Sequence, residues 1–502
     1  MACPPLRLVL CCLPCYGHAK PLVLLAEHLA EAGHVVTFVT SQPMASRIQG
    51  MCRDTSVAVL GLEDDLVPES DDFMLGMPAH VKQHPVWYAE EKMTPCLVAL
   101  IKSMSNPPDM IISDHLTWAG TNAARITGVK HACHVAWPLF MLEQCGFLPM
   151  RSISGVIRGA VRTLRSCRLA PSFLKPPGPP RAMLERVRLN CFGGEEHAGG
   201  LVLVNSFGIE PPRALPPCLK VIGRGHLPET VEALKEQPEL KAFLDANVVT
   251  VYVTFGSRVT PPPHLVRTVA QGLVAGGWAV VWSLKDANAS HLPSAVHASG
   301  KFFIRAWLPQ GAALAHPHIK AAVTHCGMGG LYECASNGVP IIPLPFSLSA
   351  DQPVNAAIAE AAGFAVRPRP FSNSGVAWLK FWERFGDPEY TPDALRDAVA
   401  KVLEDPAFAE GANRAKRAAL AAGYGRVAVD AVESTCLFGA DHLVTDDGGI
   451  GNLGGAAQTL RGVVGGLAVG VGLGLLSAVA VQLAHRDGNR GGRTAGGSYR
   501  TR

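Results

Sequence analysis

The sequence predicts an α/β protein of two domains, each a parallel sheet wrapped by helices, followed by a C-terminal transmembrane helix. Three observations carry this reading. Strand-like apolar runs alternate with helical runs through residues 1–220, a second series of the same kind fills 248–437, and the stretch from Gly462 to Ala484 carries no charge. Alternating β and α segments are the mark of parallel sheets covered on both faces. A length of 502 residues also exceeds what one hydrophobic core holds.

The first unit opens with a strand from Leu6 to Leu13, the turn Pro14-Cys-Tyr-Gly-His18, an amphipathic run from Pro21 to Ala32 and a strand from Val35 to Val39. This is a βαβ opening. Further strands are predicted at Met110 to Ser113 and His131 to Val135. Ligands of such sheets bind beyond the carboxyl ends of the strands, and His18 and Asp114 both follow predicted strands directly. Between Arg151 and Arg188 a basic segment with apolar residues near helical spacing leads into a Pro-rich stretch. It reads either as a helix covering an acceptor or touching a membrane, or as an ordinary solvated helix. Residues 221–247 form the interdomain linker. The second unit begins near Val248 with VVTVYVTFGS and continues through strands at Trp278 to Ser283, Phe302 to Arg305 and Ala321 to Thr324. A linker at 438–461 then precedes the apolar span 462–484 and a basic tail at 485–502.

Composition narrows the function. A net charge of +4 is too mild to argue for a nucleic-acid partner. A hydrophobic fraction of 48%, a charged fraction of 17% and a mean hydropathy of +0.18 point to some membrane contact. The 14 cysteines are scattered, and Cys11, Cys12 and Cys133 lie in apolar runs, the usage of reduced thiols. Cys12 and Cys15 have redox-motif spacing, but no second pair completes a zinc site. Asp64-Asp65, Asp71-Asp72 and Asp446-Asp447 read as solvated loop acids, so no metal is expected.

The richest region runs from Trp307 to Gln352. A strand ending at Thr324 feeds His325-Cys-Gly-Met-Gly-Gly330, and a helix continues through Glu333 to about Asn337. Glycines permit close backbone approach, and the free N–H groups of a helix start attract phosphate. A pyrophosphate fits here. His325 adds a side-chain donor, Glu333 can accept ribose hydroxyls, and Trp307 offers a face on which a base can stack.

These residues resemble the donor signature of the family 1 UDP-glycosyltransferases. The match runs through Trp307, Pro309, Gln310, His316, Thr324, His325, Gly327, Glu333, Gly338-Val-Pro340, Pro345, Asp351 and Gln352. Thr254-Phe-Gly256-Ser257 resembles the family's donor loop, and Val204-Asn-Ser-Phe207 its last N-domain strand. The resemblance implies a GT-B fold, two Rossmann-like domains facing across a cleft, and inversion at the anomeric carbon. It implies that Trp307 stacks on uracil, Glu333 holds ribose, His325 holds the diphosphate, and Asp351 with Gln352 holds the sugar. A UDP-sugar is then a co-substrate, with no cofactor. Where the family usually has Asn and often Ser, this chain has Gly329 and Gly330, so backbone N–H groups must replace side-chain donors. Two extra residues precede Asp351, which shifts the sugar-contacting pair.

His18 and Asp114 fall where the family keeps its base and the carboxylate partner of that base. An alcohol is a weak nucleophile near neutral pH, so His18 removes its proton while Asp114 orients the imidazole and stabilises its cation. The expected activity is transfer of a hexose, of the glucose or glucuronic acid class, onto a hydroxyl of a small lipophilic alcohol or phenol. A nicotinamide oxidoreductase would need Gly-x-Gly-x-x-Gly after the first strand, which is absent. A membrane-anchored sugar-nucleotide or lipid-binding relative without turnover is the non-enzymatic alternative.

The uncharged run 462–484 is long enough to cross the roughly 30 Å hydrocarbon layer. Leu8 to Leu13 is too short for a signal-peptide core. The sequence therefore predicts a tail anchor in the endoplasmic reticulum with cytosolic catalytic domains. Arg486, Arg490, Arg493, Arg500 and Arg502 after the span, and the sequon at Asn288, argue the other orientation. Gly462, Gly466, Gly470 and Gly474 recur on one helix face, which predicts self-association of the span.

Overall fold

The computed structural model describes residues 3–136 apart from 53, 64, 65 and 67–84; 139, 142, 186, 187 and 191; 200–346 apart from 207, 211–214, 224–229 and 257–259; 352–368; 390–439 apart from 424; and 443. Two parallel sheets organise these residues. The first contains β1 (Arg7–Cys11), β2 (Val35–Ser41), β3 (Ala58–Leu62), β4 (Met110–Asp114), β5 (Lys130–Val135), β6 (Leu201–Val204) and β7 (Leu219–Val221), in the order β3-β2-β1-β4-β5-β6-β7. The second contains β8 (Thr250–Thr254), β9 (Ala279–Ser283), β10 (Phe302–Arg305), β11 (Ile319–Thr324) and β12 (Ile341–Pro343), in the order β10-β9-β8-β11-β12.

Both orders reverse direction once, between β1 and β4 and between β8 and β11. Helices leave to opposite faces at such a point, so a crevice opens at the carboxyl ends of the two central strands. The central strands are buried on both faces, which explains their near-continuous apolar sequence. Val9 and Cys11 face one core of the first sheet while Leu8 and Leu10 face the other. Tyr252 and its neighbours Val251 and Val253 divide the second sheet in the same way.

The helices used below are α1 (Tyr16–Glu31), α2 (Gln42–Met51), α3 (Pro85–Ser103), α4 (Trp118–Thr127), α5 (Pro263–Gly276), α6 (Met328–Asn337), α7 (Gln352–Ala361), α8 (Pro392–Glu404) and α9 (Arg426–Phe438). The start of α1 departs from expectation. The sequence places a turn up to His18 and a helix from Pro21, whereas the helix begins at Tyr16 and carries Pro21 inside it. Pro21 is the sixth residue of this helix, where it forgoes the N–H bond to the Gly17 carbonyl, and the early start puts His18 in the first turn of α1. The last helix also departs from a simple division into halves. Ala428, Ala431 and Val432 of α9 join the core of the first sheet, so the chain ends its second unit by packing back onto the first.

The expected transmembrane helix is corrected. Among the described residues no helix is long and apolar enough to cross a membrane. The stretch 462–484, on which that helix, its self-association and the endoplasmic reticulum anchor rested, lies outside the described residues. The expectation rested on the length and lack of charge of this run, with the helix cost of glycine, about 1 kcal/mol per residue against alanine in water, taken as small in lipid although Gly462, Gly465, Gly466, Gly470, Gly472 and Gly474 all fall within it. Among the described residues the fold class is thus the two parallel-sheet units. The basic segment 151–188 lies mostly outside the described residues as well.

Candidate active site

At the first switch point β1 delivers His18 and β4 ends on Asp114. His18 Nδ1 lies 2.9 Å from Asp114 Oδ1, with Asp114 fully buried. Leu116 N donates to Asp114 Oδ2 at 3.0 Å. Both carboxylate oxygens are therefore engaged. Burial alone would raise the Asp114 carboxyl, but the charges of His18 and His115, with their hydrogen bonds, hold it well below the usual carboxylate range. With Nδ1–H donated to Asp114, His18 Nε2 is left to accept a proton.

Sequence reasoning missed the rest of this cluster. His115 Nδ1 stands 3.0 Å from the same Asp114 oxygen, and its ring lies 5.1 Å from that of His18. His134, beside Asp114 in the β4–β5 register, shares a 3.1 Å hydrogen bond with Asn205. Burial pulls His134 down to about 4, against the pull of the Asp114 charge. Ligand atoms of His18, Asp114 and His115 all fall within 4.8 Å of one another, a spacing that a metal ion also tolerates. Adjacency to Asp114 in sequence was the only available signal for His115; nothing marked His134.

At the second switch point β8 leads to Gly256 and β11 to His325. The turn into α6 is tight: Cys326 adopts a positive φ of 64°, rare for a residue with a side chain. Two glycines make room for the His325 ring. A Cβ on Gly327 would fall 2.4 Å from His325 Nε2, and one on Gly256 would fall 2.8 Å from Cε1. Burial pushes His325 down to about 4, so at neutral pH it offers an N–H and no charge. Gly327 is the N-cap of α6, and Gly329 is exposed with open space around it. The first turn of α6 thus presents backbone N–H groups, the arrangement that favours an anion.

One turn further along α6 stands Glu333, 7% exposed. Gln310 Nε2 donates to Glu333 Oε2, and Lys20 Nζ donates to Glu333 Oε1 at 3.1 Å. Lys20 belongs to α1, so this bond joins the two units across 313 residues of chain. Trp307 is 71% exposed, leaving a face open for stacking. Gln352 is 2% exposed, with its Oε1 accepting from Phe346 N at 3.2 Å. Ser257 and Asp351 lie outside the described residues.

Comparisons with known proteins find similarity to one family over part of the chain and to one fold over most of it. The family model for UDP-glucoronosyl and UDP-glucosyl transferase matches residues 196–375. An anthocyanidin 3-O-glucoside 5-O-glucosyltransferase of Perilla frutescens is 27% identical over 411 residues, covering 74% of this chain and 90% of its own. A UDP-glycosyltransferase of Talaromyces amestolkiae is 35% identical over 190 residues, and the match spans 33% of this chain and only 35% of that relative's length. Among solved structures, a UDP-glucose: anthocyanidin 3-O-glucosyltransferase in complex with UDP shares the fold at a TM-score of 0.62 and 18% identity, over 85% of this chain and 98% of that one. The family match covers β8 to β12 with Trp307, His325 and Glu333, and the GT-B fold shared with the solved structures extends over both sheets.

Proposed function

We propose that this chain is an inverting UDP-glycosyltransferase that moves a hexose from a UDP-sugar to a hydroxyl of a small lipophilic acceptor. The observation that carries the reading is the placement of two chemically different sites at two facing switch points. His18 with Asp114 supplies a base, while Glu333, Gln310, His325 and the start of α6 supply a nucleotide site.

In this reading the acceptor hydroxyl loses its proton to His18 Nε2 as its oxygen bonds to the anomeric carbon, and the bond from that carbon to the diphosphate breaks. Asp114, ionised and buried, stabilises the imidazolium that forms. The leaving diphosphate gains negative charge beside the N–H groups of α6, which are aimed before the reaction begins. Glu333 accepts the ribose hydroxyls, and Trp307 stacks on the base. The mechanism calls on no cofactor. Phenolic acceptors are the first to try, since relatives named for anthocyanidin and flavonol glycosylation match this chain.

The test is release of UDP from UDP-glucose, UDP-galactose and UDP-glucuronic acid with a panel of phenols and sterols. The reading expects release that depends on the acceptor, with one glycoside formed per UDP. UDP binding without acceptor-dependent release would identify a binder that lacks turnover.

A further inference from the structure

Helix α1 touches both halves of the proposed site. His18 and Lys20 are two residues apart on it, and residues at that spacing point about 200° apart around a helix. One helix therefore aims His18 at its own sheet and Lys20 across the cleft. His18 is tied to Asp114 at 2.9 Å and Lys20 to Glu333 at 3.1 Å. The far end of α1 is fixed too, since a Cβ on Gly425, at the start of α9, would fall 2.3 Å from His28 Cδ2.

Neither residue was marked by sequence as a charge on the donor. His325, the expected donor to the diphosphate, is held neutral by burial at ordinary pH. Lys20 instead brings a formal positive charge to the donor helix, and it comes from the opposite unit. Its ammonium is partly screened, with a side-chain exposure of 37% against 9% for Glu333.

We propose that Lys20 is a positioning residue that couples nucleotide binding to placement of the base. It fixes the Glu333 carboxylate toward the ribose while locking α1, and with it His18, against the donor helix. The inference rests on the reading of Glu333 as the ribose acceptor. A carboxylate offers about four acceptor directions, so the bond to Lys20 is compatible with a bound vicinal diol. By linkage, a contact that favours the closed cleft strengthens any ligand that needs the cleft closed.

The experiment compares the full chain with Lys20→Met and Lys20→Arg, by calorimetry with UDP and by steady-state transfer. Lys20→Met is expected to weaken UDP binding and raise the donor KM by about tenfold each, a factor worth about 1.4 kcal/mol. The acceptor KM and the melting temperature are expected to stay unchanged, and Lys20→Arg to recover UDP affinity to within about twofold, because the charge is kept. Added salt should weaken UDP binding more in the unsubstituted chain than in Lys20→Met. Unchanged or tighter UDP binding by Lys20→Met overturns the inference, as does an equal loss in Lys20→Arg. Failure of the unsubstituted chain to bind UDP overturns instead the nucleotide reading on which the inference rests.

Discussion

Replacing Asp114 by Asn keeps the shape of a fully buried side chain and removes its charge, which isolates what the carboxylate does for His18. The 2.9 Å contact to His18 Nδ1 is a charge-assisted bond, and such bonds contribute about 1.5–3 kcal/mol. At about 1.4 kcal/mol per tenfold, that alone predicts a roughly 10- to 150-fold loss in kcat. A second effect adds to it. If the amide N–H faces Nδ1, the imidazole proton moves to Nε2 and the base cannot accept, a loss of about 10⁴-fold in the analogous serine-protease substitution. The expected fall in kcat is therefore about 10²- to 10⁴-fold, read by UDP release at saturating donor and acceptor. UDP affinity should stay unchanged, because Glu333 and Gln310 belong to the other sheet's side of the cleft. The folded Asp114 carboxyl lies well below its ordinary range, so its stabilising contribution is present above the unfolded value near 3.9 and is lost as pH falls through the folded value. The stability gap between Asp114→Asn and the unsubstituted chain should thus be widest near neutrality and close in acid. A kcat within twofold of the unsubstituted chain would refute the role given to Asp114.

Three further outcomes follow from the same geometry. Glu333→Ala should weaken UDP and UDP-sugar alike in calorimetry, by about tenfold or more, since a hydrogen-bonded charge is removed from the ribose position; equal affinity would place the nucleotide elsewhere. Gly327→Ala should displace the His325 ring, which its Cβ would meet at 2.4 Å, costing about 1–3 kcal/mol of stability in urea unfolding together with UDP affinity. His134 is held at about 4 against an ordinary 6.5, so the unfolded chain binds a proton between those values that the folded chain does not. This contributes a fall in stability of about 2 kcal/mol between pH 7 and pH 5; His325, also held at about 4, adds a similar fall, so His134→Gln should remove about half of the combined slope.

β4 was legible because it is buried throughout, and it extends the expected Met110 to Ser113 by one residue to Asp114; β10, a half-buried edge strand, occupies Phe302–Arg305, the stretch expected from its apolar run. The His325 to Gly330 turn was legible for a related reason, since close backbone approach demands glycine at 256 and 327. The start of α1 was not legible, because Pro21 reads as a helix start and serves here inside the helix. Lys20 was missed because its partner is 313 residues away and no periodicity links them. His115 and His134 were missed because a buried histidine at or just after the end of a central strand looks like any core residue until its neighbours are placed. The membrane expectation took the cost of glycine in a helix to be small in lipid, yet no helix among the described residues is long and apolar enough to cross a membrane.

The central claim is a division of labour, with the base on one sheet and the nucleotide on the other. His18→Ala, examined on one preparation by UDP calorimetry and by acceptor-dependent UDP release, tests it most directly. The account predicts UDP affinity within about twofold of the unsubstituted chain and transfer reduced by about 10³-fold or more. Transfer retained in His18→Ala, or UDP binding lost along with it, would contradict that division.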